Sequence, residues 1–113
     1  MPQECHYSSK LHEMLMHTAA ILDTTSGVGF DDYLTDKTLR LATERRMQHL
    51  SAVTQNLPPD FQRAYPQIPW DKLEAQNSVL RHVDFQGKQE VLYRIATHHL
   101  REIYEALLTT QKN

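Results

Sequence analysis

The sequence predicts an all-α fold: a single domain over residues 1–113, built as an up-and-down four-helix bundle. The apolar residues recur mostly at helical spacing, and short links containing proline or glycine separate the periodic stretches. No stretch alternates polar and apolar residues for long enough to predict a strand. Three glycines and five prolines are also few for an all-β fold, which needs many turns.

The first helix is expected from about Tyr7 to Thr24, with Ser8 or Ser9 as its N-cap. Residues 25–29, which include two glycines, break it. Its apolar stripe consists of Leu11, Leu15, Thr18 and Leu22.

The second helix is expected to begin after Thr35 or Asp36, either of which can cap it, and to end at Pro58-Pro59. Before it, the segment from Phe30 to Leu34 can form a short turn that packs two aromatic rings. The stripe of this second helix consists of Leu39, Ala42, Arg46, Leu50, Val53 and Leu57.

The third helix is expected from Trp70 to about His82, after the constrained link from Tyr65 to Pro69. Gly87 then interrupts the pattern, and the fourth and longest helix runs from Lys88 to Thr109. The stripe of the fourth helix consists of Leu92, Ile95, His99, Ile103 and Leu107.

Composition and charge limit the classes of protein to which this chain can belong. The 113 residues are 40% hydrophobic and 23% charged, as in an ordinary globular domain. A net charge of −2 offers no support for non-specific nucleic-acid binding, although a local basic patch is compatible with it. Cys5 is the single cysteine, which suits a reducing compartment, and the apolar stretch Met14–Leu22 is too short to span a bilayer. We therefore expect a cytoplasmic protein without membrane association.

The histidines do not form a metal-binding pattern. His12 and His17 are five residues apart, which places them about 140° apart around a regular helix, whereas a zincin helix needs a spacing of four. His98 and His99 are adjacent and diverge by about 100°. Cys5 lies near the chain terminus, where nothing fixes a base beside it. The sequence therefore predicts no metal site and no cofactor.

The end of the third helix carries groups that can act on a phosphodiester. His82 can exchange protons near neutral pH, Arg81 beside it can bind a phosphate, and Asp84 follows two residues later. Metal-free phosphodiester cleavage uses such an acid/base and such a cation. Polar residues at a solvent-facing helix end account for the same pattern.

The residues 65–70, Tyr-Pro-Gln-Ile-Pro-Trp, resemble a Tyr-Pro-Glu-Ile-Pro-Trp signature of the HepT-like proteins of the HEPN superfamily. The resemblance continues through the third helix, where the family motif is an arginine, four residues, a histidine, one residue and a tyrosine. Counted from Trp70, these positions fall on Asn77, His82 and Asp84. Residues 30–34 and 44–47 resemble the family's first interhelical loop and its second helix, so the similarity covers most of the chain.

The resemblance implies a four-helix bundle that forms a homodimer, with the motif lining a cleft at the dimer interface. It also implies a toxin–antitoxin component: active members are metal-independent endoribonuclease toxins. Their partner is a minimal nucleotidyltransferase antitoxin, which can adenylylate the motif tyrosine.

The motif in this chain is degenerate. Asn77 replaces the arginine, so the cationic phosphate ligand is absent there, and Asp84 replaces the tyrosine, so no phenol is present to adenylylate. Only His82 is retained. Arg81, four residues from Asn77, is one candidate for the missing cation. The others are Arg45 and Arg46 of the second helix.

Two functions are therefore open at the level of sequence. In the first, the chain is an endoribonuclease in which His82 is the general acid/base and Arg81, with Arg45 or Arg46, stabilises the phosphate. In the second, it is a catalytically degenerate helical binding partner or adaptor of a minimal nucleotidyltransferase. The two lost motif positions, Asn77 and Asp84, distinguish the hypotheses, because both losses weaken anion binding.

Overall fold

The computed structural model describes the backbone of residues 2–82 and 87–112, and the side chains of residues 7–82 and 87–111. Within these ranges the chain is helical apart from short links, which confirms the all-α prediction. The helices are α1 (Pro2–Thr25), α2 (Phe30–Thr35), α3 (Lys37–Gln55), α4 (Phe61–Ala64), α5 (Trp70–Arg81), α6 (Lys88–Arg94) and α7 (Leu100–Lys112). A π-helical segment, Ile95–His99, joins α6 to α7, so residues 88–112 form one long helical element.

The periodicity predicts the four long helical elements, and their observed bounds differ from the predicted ones at the ends. The first helix starts at Pro2, so Ser8 and Ser9 lie inside it and the prediction that they cap it is wrong. Proline suits a helix start because its missing N–H would have no intrahelical partner there. Asp36 does cap α3, since its side chain accepts a hydrogen bond from the Leu39 N–H at 3.0 Å.

The inner face of α3 differs from the predicted stripe. The buried residues are Thr43, Met47, Leu50 and Ser51, whereas Arg46 is exposed. One residue corresponds to about 100° around a helix, so a face that turns Met47 inward turns Arg46 outward. The prediction that Arg46 lies on the buried stripe is therefore wrong, although Leu50 was placed correctly.

The core lies where α1 packs against α3 and α7, and α5 closes it by packing against α3 and α6. None of the helices in the described ranges is long and apolar enough to cross a membrane. The side chains that contribute most volume to the core are Met14, Ile21, Tyr33, Met47, Leu50, Phe61, Ile68, Leu73, Leu92, Ile95, Leu100 and Ile103.

The π-helical segment is the main feature that the apolar pattern does not predict. The Leu100 N–H donates to the carbonyl of Ile95, five residues earlier, instead of to the residue four earlier. Ile95 and Ala96 are both buried, and the pattern resumes with Leu100, Ile103 and Leu107 in the core.

His99, at the end of this segment, is half-buried, and its Nδ1 atom is buried without a hydrogen-bond partner among the described residues. Its pKa lies below the ordinary value chiefly because burial disfavours the charged ring. The positive charges of Lys72, His98 and Arg94 lower the pKa further, and Asp71 opposes them. Burial and these charges therefore favour the neutral form of His99.

We expect the free energy of unfolding to fall as the pH drops below about 6.5, the ordinary pKa of histidine in an unfolded chain. In that range the unfolded chain binds a proton at His99 more readily than the folded chain does. The variant His99→Leu should show a shallower decline in urea titrations between pH 7.5 and about 5. His12→Gln, which alters an exposed histidine on α1, is the control and should keep the wild-type slope. Identical slopes for wild type and His99→Leu would contradict a depressed pKa.

Candidate functional site

His82 stands at the C-terminal end of α5, where it caps the helix and is exposed to solvent. Its Nδ1 atom lies 2.7 Å from the carbonyl oxygen of Ser78, one turn earlier. Because a carbonyl only accepts, Nδ1 is the atom that carries the proton in this hydrogen bond. In the neutral ring the lone pair is then on Nε2, which is the arrangement that a general base requires.

Lys88, in the first turn of α6, has its positive charge next to the backbone of His82. Its Nζ atom donates a hydrogen bond of 2.6 Å to the backbone carbonyl of His82. Gly87 precedes it with a φ of +84°, in the left-handed region that favours glycine, and this turn starts α6. Lys88 is not among the site residues predicted from the sequence, in which its one distinguishing feature is its position directly after Gly87.

Arg81 is exposed and forms an ion pair with Glu74, two turns earlier on α5, at 3.1 Å. Both side chains are more than half exposed, so this pair contributes little to stability. Arg81 and His82 are adjacent in sequence, and the structure places both at the end of α5. The charge of Arg81 is partly balanced by Glu74, seven residues away on the same helix face.

Asn77 lies on the opposite side of α5 from solvent. It is 4% exposed, and its Nδ2 group donates to the Thr54 hydroxyl of α3 at 3.3 Å. The neighbouring Gln76 is fully buried, and it donates to the backbone carbonyl of Met47, also on α3, at 3.2 Å. Position 77 therefore serves the contact between α5 and α3 in this chain.

Arg45 and Arg46 of α3 are both exposed, and Arg45 donates to Gln48 on its own helix at 3.5 Å. The described hydrogen bonds between α3 and α5 run through Gln76 and Asn77, before the end of α5 where His82 lies. Asp84 lies outside the described residues.

A hydrogen-bond network fixes the start of α6 beside His82. The Tyr33 hydroxyl of α2 donates to Gln89 Oε1 at 3.1 Å, and Gln89 Nε2 donates to the Glu44 carboxylate of α3 at 2.8 Å. Gln89 follows Lys88 directly, so the backbone that carries Lys88 is attached to two other helices. This network was not predictable from the sequence, because nothing in the spacing of residues 33, 44 and 89 indicates that they meet.

Tyr33 is completely buried, and burial raises its pKa to about 12. The negative charge of Glu44 acts in the same direction, whereas Arg40 opposes it. Its ring also packs against Tyr93 of α6, with 5.3 Å between the ring centroids. Tyr33 is therefore a neutral hydrogen-bond donor at physiological pH.

The described residues contain no group of three or more histidine, cysteine or carboxylate side chains that could hold a metal ion. His12 is exposed, and His17 packs on His49 of α3 with 5.8 Å between ring centroids. An open groove of about 1120 Å³ is lined by the second half of α1 and the turn after it on one side, and by Tyr93, the π-helical segment and α7 on the other. Its walls include Val28, whose carbonyl accepts a 2.6 Å hydrogen bond from the Tyr93 hydroxyl.

Residues 14–109 match the family model described as ribonuclease HepT-like. A candidate RNase of Methanocaldococcus jannaschii is 32% identical over 85 residues, which are 75% of this chain and 70% of that protein. A candidate HepT ribonuclease of Thermococcus cleftensis is 31% identical over 74 residues, 66% of this chain and 67% of the relative. A candidate RNase of Caldanaerobacter subterraneus subsp. tengcongensis is 20% identical over 93 residues, 82% and 83% of the two chains. No solved structure matches this chain.

We expect Tyr33 to ionise near pH 12, measured as the difference in ultraviolet absorbance between wild type and Tyr33→Phe during an alkaline titration. An unfolded tyrosine loses its proton near pH 10, so the folded chain binds more protons between these values. The free energy of unfolding should therefore fall as the pH rises from about 10 to 12, and less steeply in Tyr33→Phe. A Tyr33 transition near pH 10 in the folded protein would contradict this.

Proposed function

Because this chain belongs to the HepT-like ribonuclease family, we propose that it is a metal-independent endoribonuclease with His82 as its general acid/base. The observation that carries the proposal is the hydrogen bond between His82 Nδ1 and the Ser78 carbonyl. This bond holds the ring at an exposed helix end and puts the lone pair of the neutral form on Nε2. A base that removes a proton from a polymeric substrate needs this accessible position.

In the proposed reaction, His82 Nε2 takes the proton of a ribose 2′-hydroxyl. The 2′-oxygen then attacks the neighbouring phosphorus, and the bond from phosphorus to the 5′-oxygen breaks as the new bond forms. A water molecule protonates the departing 5′-oxygen and His82 returns its proton to solvent, so the products are a 2′,3′-cyclic phosphate and a 5′-hydroxyl. A positive charge near the phosphate stabilises the negative charge that accumulates on its oxygens.

The proposal extends to assembly. We place the His82 site in a cleft between two copies of this chain, and we assign the chain to a toxin–antitoxin pair in the cytoplasm with a minimal nucleotidyltransferase as its partner. These roles are inferred from family membership and agree with a site at an exposed end of the bundle.

A second candidate function rests on Asn77. The side chain at this motif position is neutral, buried and hydrogen-bonded to Thr54, so it supplies no charge to a phosphate. A chain with such a site can act as a non-catalytic binding partner or adaptor of the nucleotidyltransferase. The double variant Asn77→Arg and Asp84→Tyr separates the two functions, because it makes an inert chain active only if the lost motif is what prevents cleavage.

We expect wild-type protein to cleave RNA in the presence of a chelator and His82→Ala to lower the rate by about 100-fold or more, as loss of a general acid/base does. The assay follows the formation of 2′,3′-cyclic phosphate ends on a labelled oligonucleotide. His12→Ala, which alters an exposed histidine on α1, is the matched control and should retain activity. Cleavage that is unchanged in His82→Ala would refute the assignment of His82. A wild-type protein without cleavage would refute the ribonuclease proposal.

We also expect the protein to form a dimer of about twice 13.2 kDa in light scattering after size-exclusion chromatography. Mixing inactive His82→Ala with wild-type protein tests whether one cleft uses residues of both copies, because activity per wild-type chain then changes with the mixing ratio. A monomer at micromolar concentration would count against a composite cleft.

A further inference from the structure

The proposed reaction needs a positive charge beside the phosphate. Asn77 is uncharged, so another residue has to supply that charge. Asn77 is turned into the contact with α3, where it donates to Thr54. Arg81 is turned along α5 toward Glu74, with which it pairs at 3.1 Å. Arg45 is exposed on α3, and its described hydrogen bond is to Gln48.

Lys88 differs from these arginines because its ammonium group touches the residue that carries the proposed base. The hydrogen bond from Nζ to the His82 carbonyl, at 2.6 Å, places the positive charge against the backbone of His82 itself. The imidazole of His82 is bound to the same backbone and held by Ser78. The ammonium group of Lys88 and the proposed base therefore meet at one residue at the end of α5.

The backbone of Lys88 is also held in place. Gln89 bonds to Tyr33 of α2 and to Glu44 of α3, and Gly87 makes the left-handed turn before α6. These contacts keep the start of α6 at one distance from the end of α5. A charge held in advance at the place where it is needed avoids much of the reorganisation that a mobile surface lysine would require.

We propose that Lys88 binds the phosphate of an RNA substrate at the His82 site and supplies the charge that Asn77 does not. This inference rests on the proposed function, because it assumes that the ligand is RNA. It concerns binding of the phosphate, however, and can be tested without cleavage.

Lys88 also has a structural role, because a lysine that donates to the last carbonyl of a helix caps it. The two roles are separable by chemistry. In Lys88→Gln the side chain keeps an N–H donor for the His82 carbonyl but loses the charge. In Lys88→Arg the charge and the donors are both retained. A purely structural role depends on the donor, whereas phosphate binding depends on the charge.

The binding experiment uses a fluorescent single-stranded oligonucleotide with 2′-deoxy sugars, which cannot be cleaved through a 2′-hydroxyl. We expect Lys88→Gln to weaken binding by roughly 10-fold at low salt, as the loss of a charge-assisted contact does, and Lys88→Arg to stay close to wild type. The slope of log affinity against log salt should fall by about 0.7 in Lys88→Gln, the value for one phosphate contact on a single strand. Lys37→Gln, which removes the same charge from an exposed position at the start of α3, is the control.

The cleavage experiment uses the matching ribo-oligonucleotide and the same four proteins. We expect Lys88→Gln to lower the cleavage rate by about 10-fold or more while thermal unfolding remains close to that of Lys37→Gln. If wild type cleaves and Lys88→Gln binds and cleaves like Lys37→Gln, the assignment of Lys88 is wrong and the proposed function stands. If wild type does not cleave but its binding depends on Lys88, the ribonuclease proposal fails and the phosphate site stands.

A measurement on the wild-type chain covers the case in which Lys88→Gln does not fold. The NMR signal of the Lys88 side-chain carbon next to Nζ is followed while the deoxy-oligonucleotide is added. We expect this signal to shift with the same midpoint as the fluorescence titration, while the signal of Lys37 stays in place. A Lys88 signal that does not move at saturating oligonucleotide would overturn the proposal.

Discussion

The rotation of α5 about its own axis decides what this protein presents at the end of its bundle. Two buried amide side chains set that rotation, because Gln76 bonds to the backbone of Met47 and Asn77 bonds to Thr54, both on α3. Each of them also buries an oxygen without a hydrogen-bond partner among the described residues, which is unfavourable. His82 lies five residues after Asn77, about 140° around the helix, and therefore faces outward, whereas Arg81, about 40° from Asn77, is exposed because it is the last residue of α5.

The second constraint is the attachment of α6. Tyr33, Gln89 and Glu44 come from three helices and form one connected set of hydrogen bonds. Because Tyr33 is neutral and completely buried, this set is shielded from solvent on one side. It fixes the start of α6 relative to the end of α5, and therefore fixes Lys88 relative to His82. The chemical groups of the candidate site are exposed, but the contacts that position them are inside the bundle.

The apolar periodicity predicts the four long helices well, since it reports directly which residues face the core. Leu92, Ile95, Ile103 and Leu107 are buried as the spacing indicates. It predicts the ends of helices less well, as Ser8 and Ser9 show, because several polar residues near a boundary can cap equally well. Arg46 illustrates a further limit. The predicted stripe of α3 contains buried residues such as Leu50 but also Arg46, which is exposed because the neighbouring Met47 takes the buried position.

The candidate site was predictable only in part, for a reason of geometry. His82 could be found because the resemblance and the chemistry of its neighbours point to the same residue. Lys88 could not, since its approach to the His82 carbonyl depends on how the chain returns after α5. The inward orientation of Asn77 follows from its position on the same side of the third helix as Leu73, whereas its hydrogen bond to Thr54 could not be read from the sequence.

The π-helical segment has a consequence for the ways in which this chain can change in length. A stretch with hydrogen bonds to the fifth residue contains one residue more than the same stretch of α-helix. Deleting one residue within Ile95–His99 can therefore be absorbed by converting the segment to α-helix, and Ile103 and Leu107 keep their orientation toward α1. The same deletion inside α7 would rotate everything after it by about 100° and carry the later core residues away from their partners. Within the last helical element, the segment Ile95–His99 is therefore a place where one residue can be deleted without rotating the later core residues away from the core.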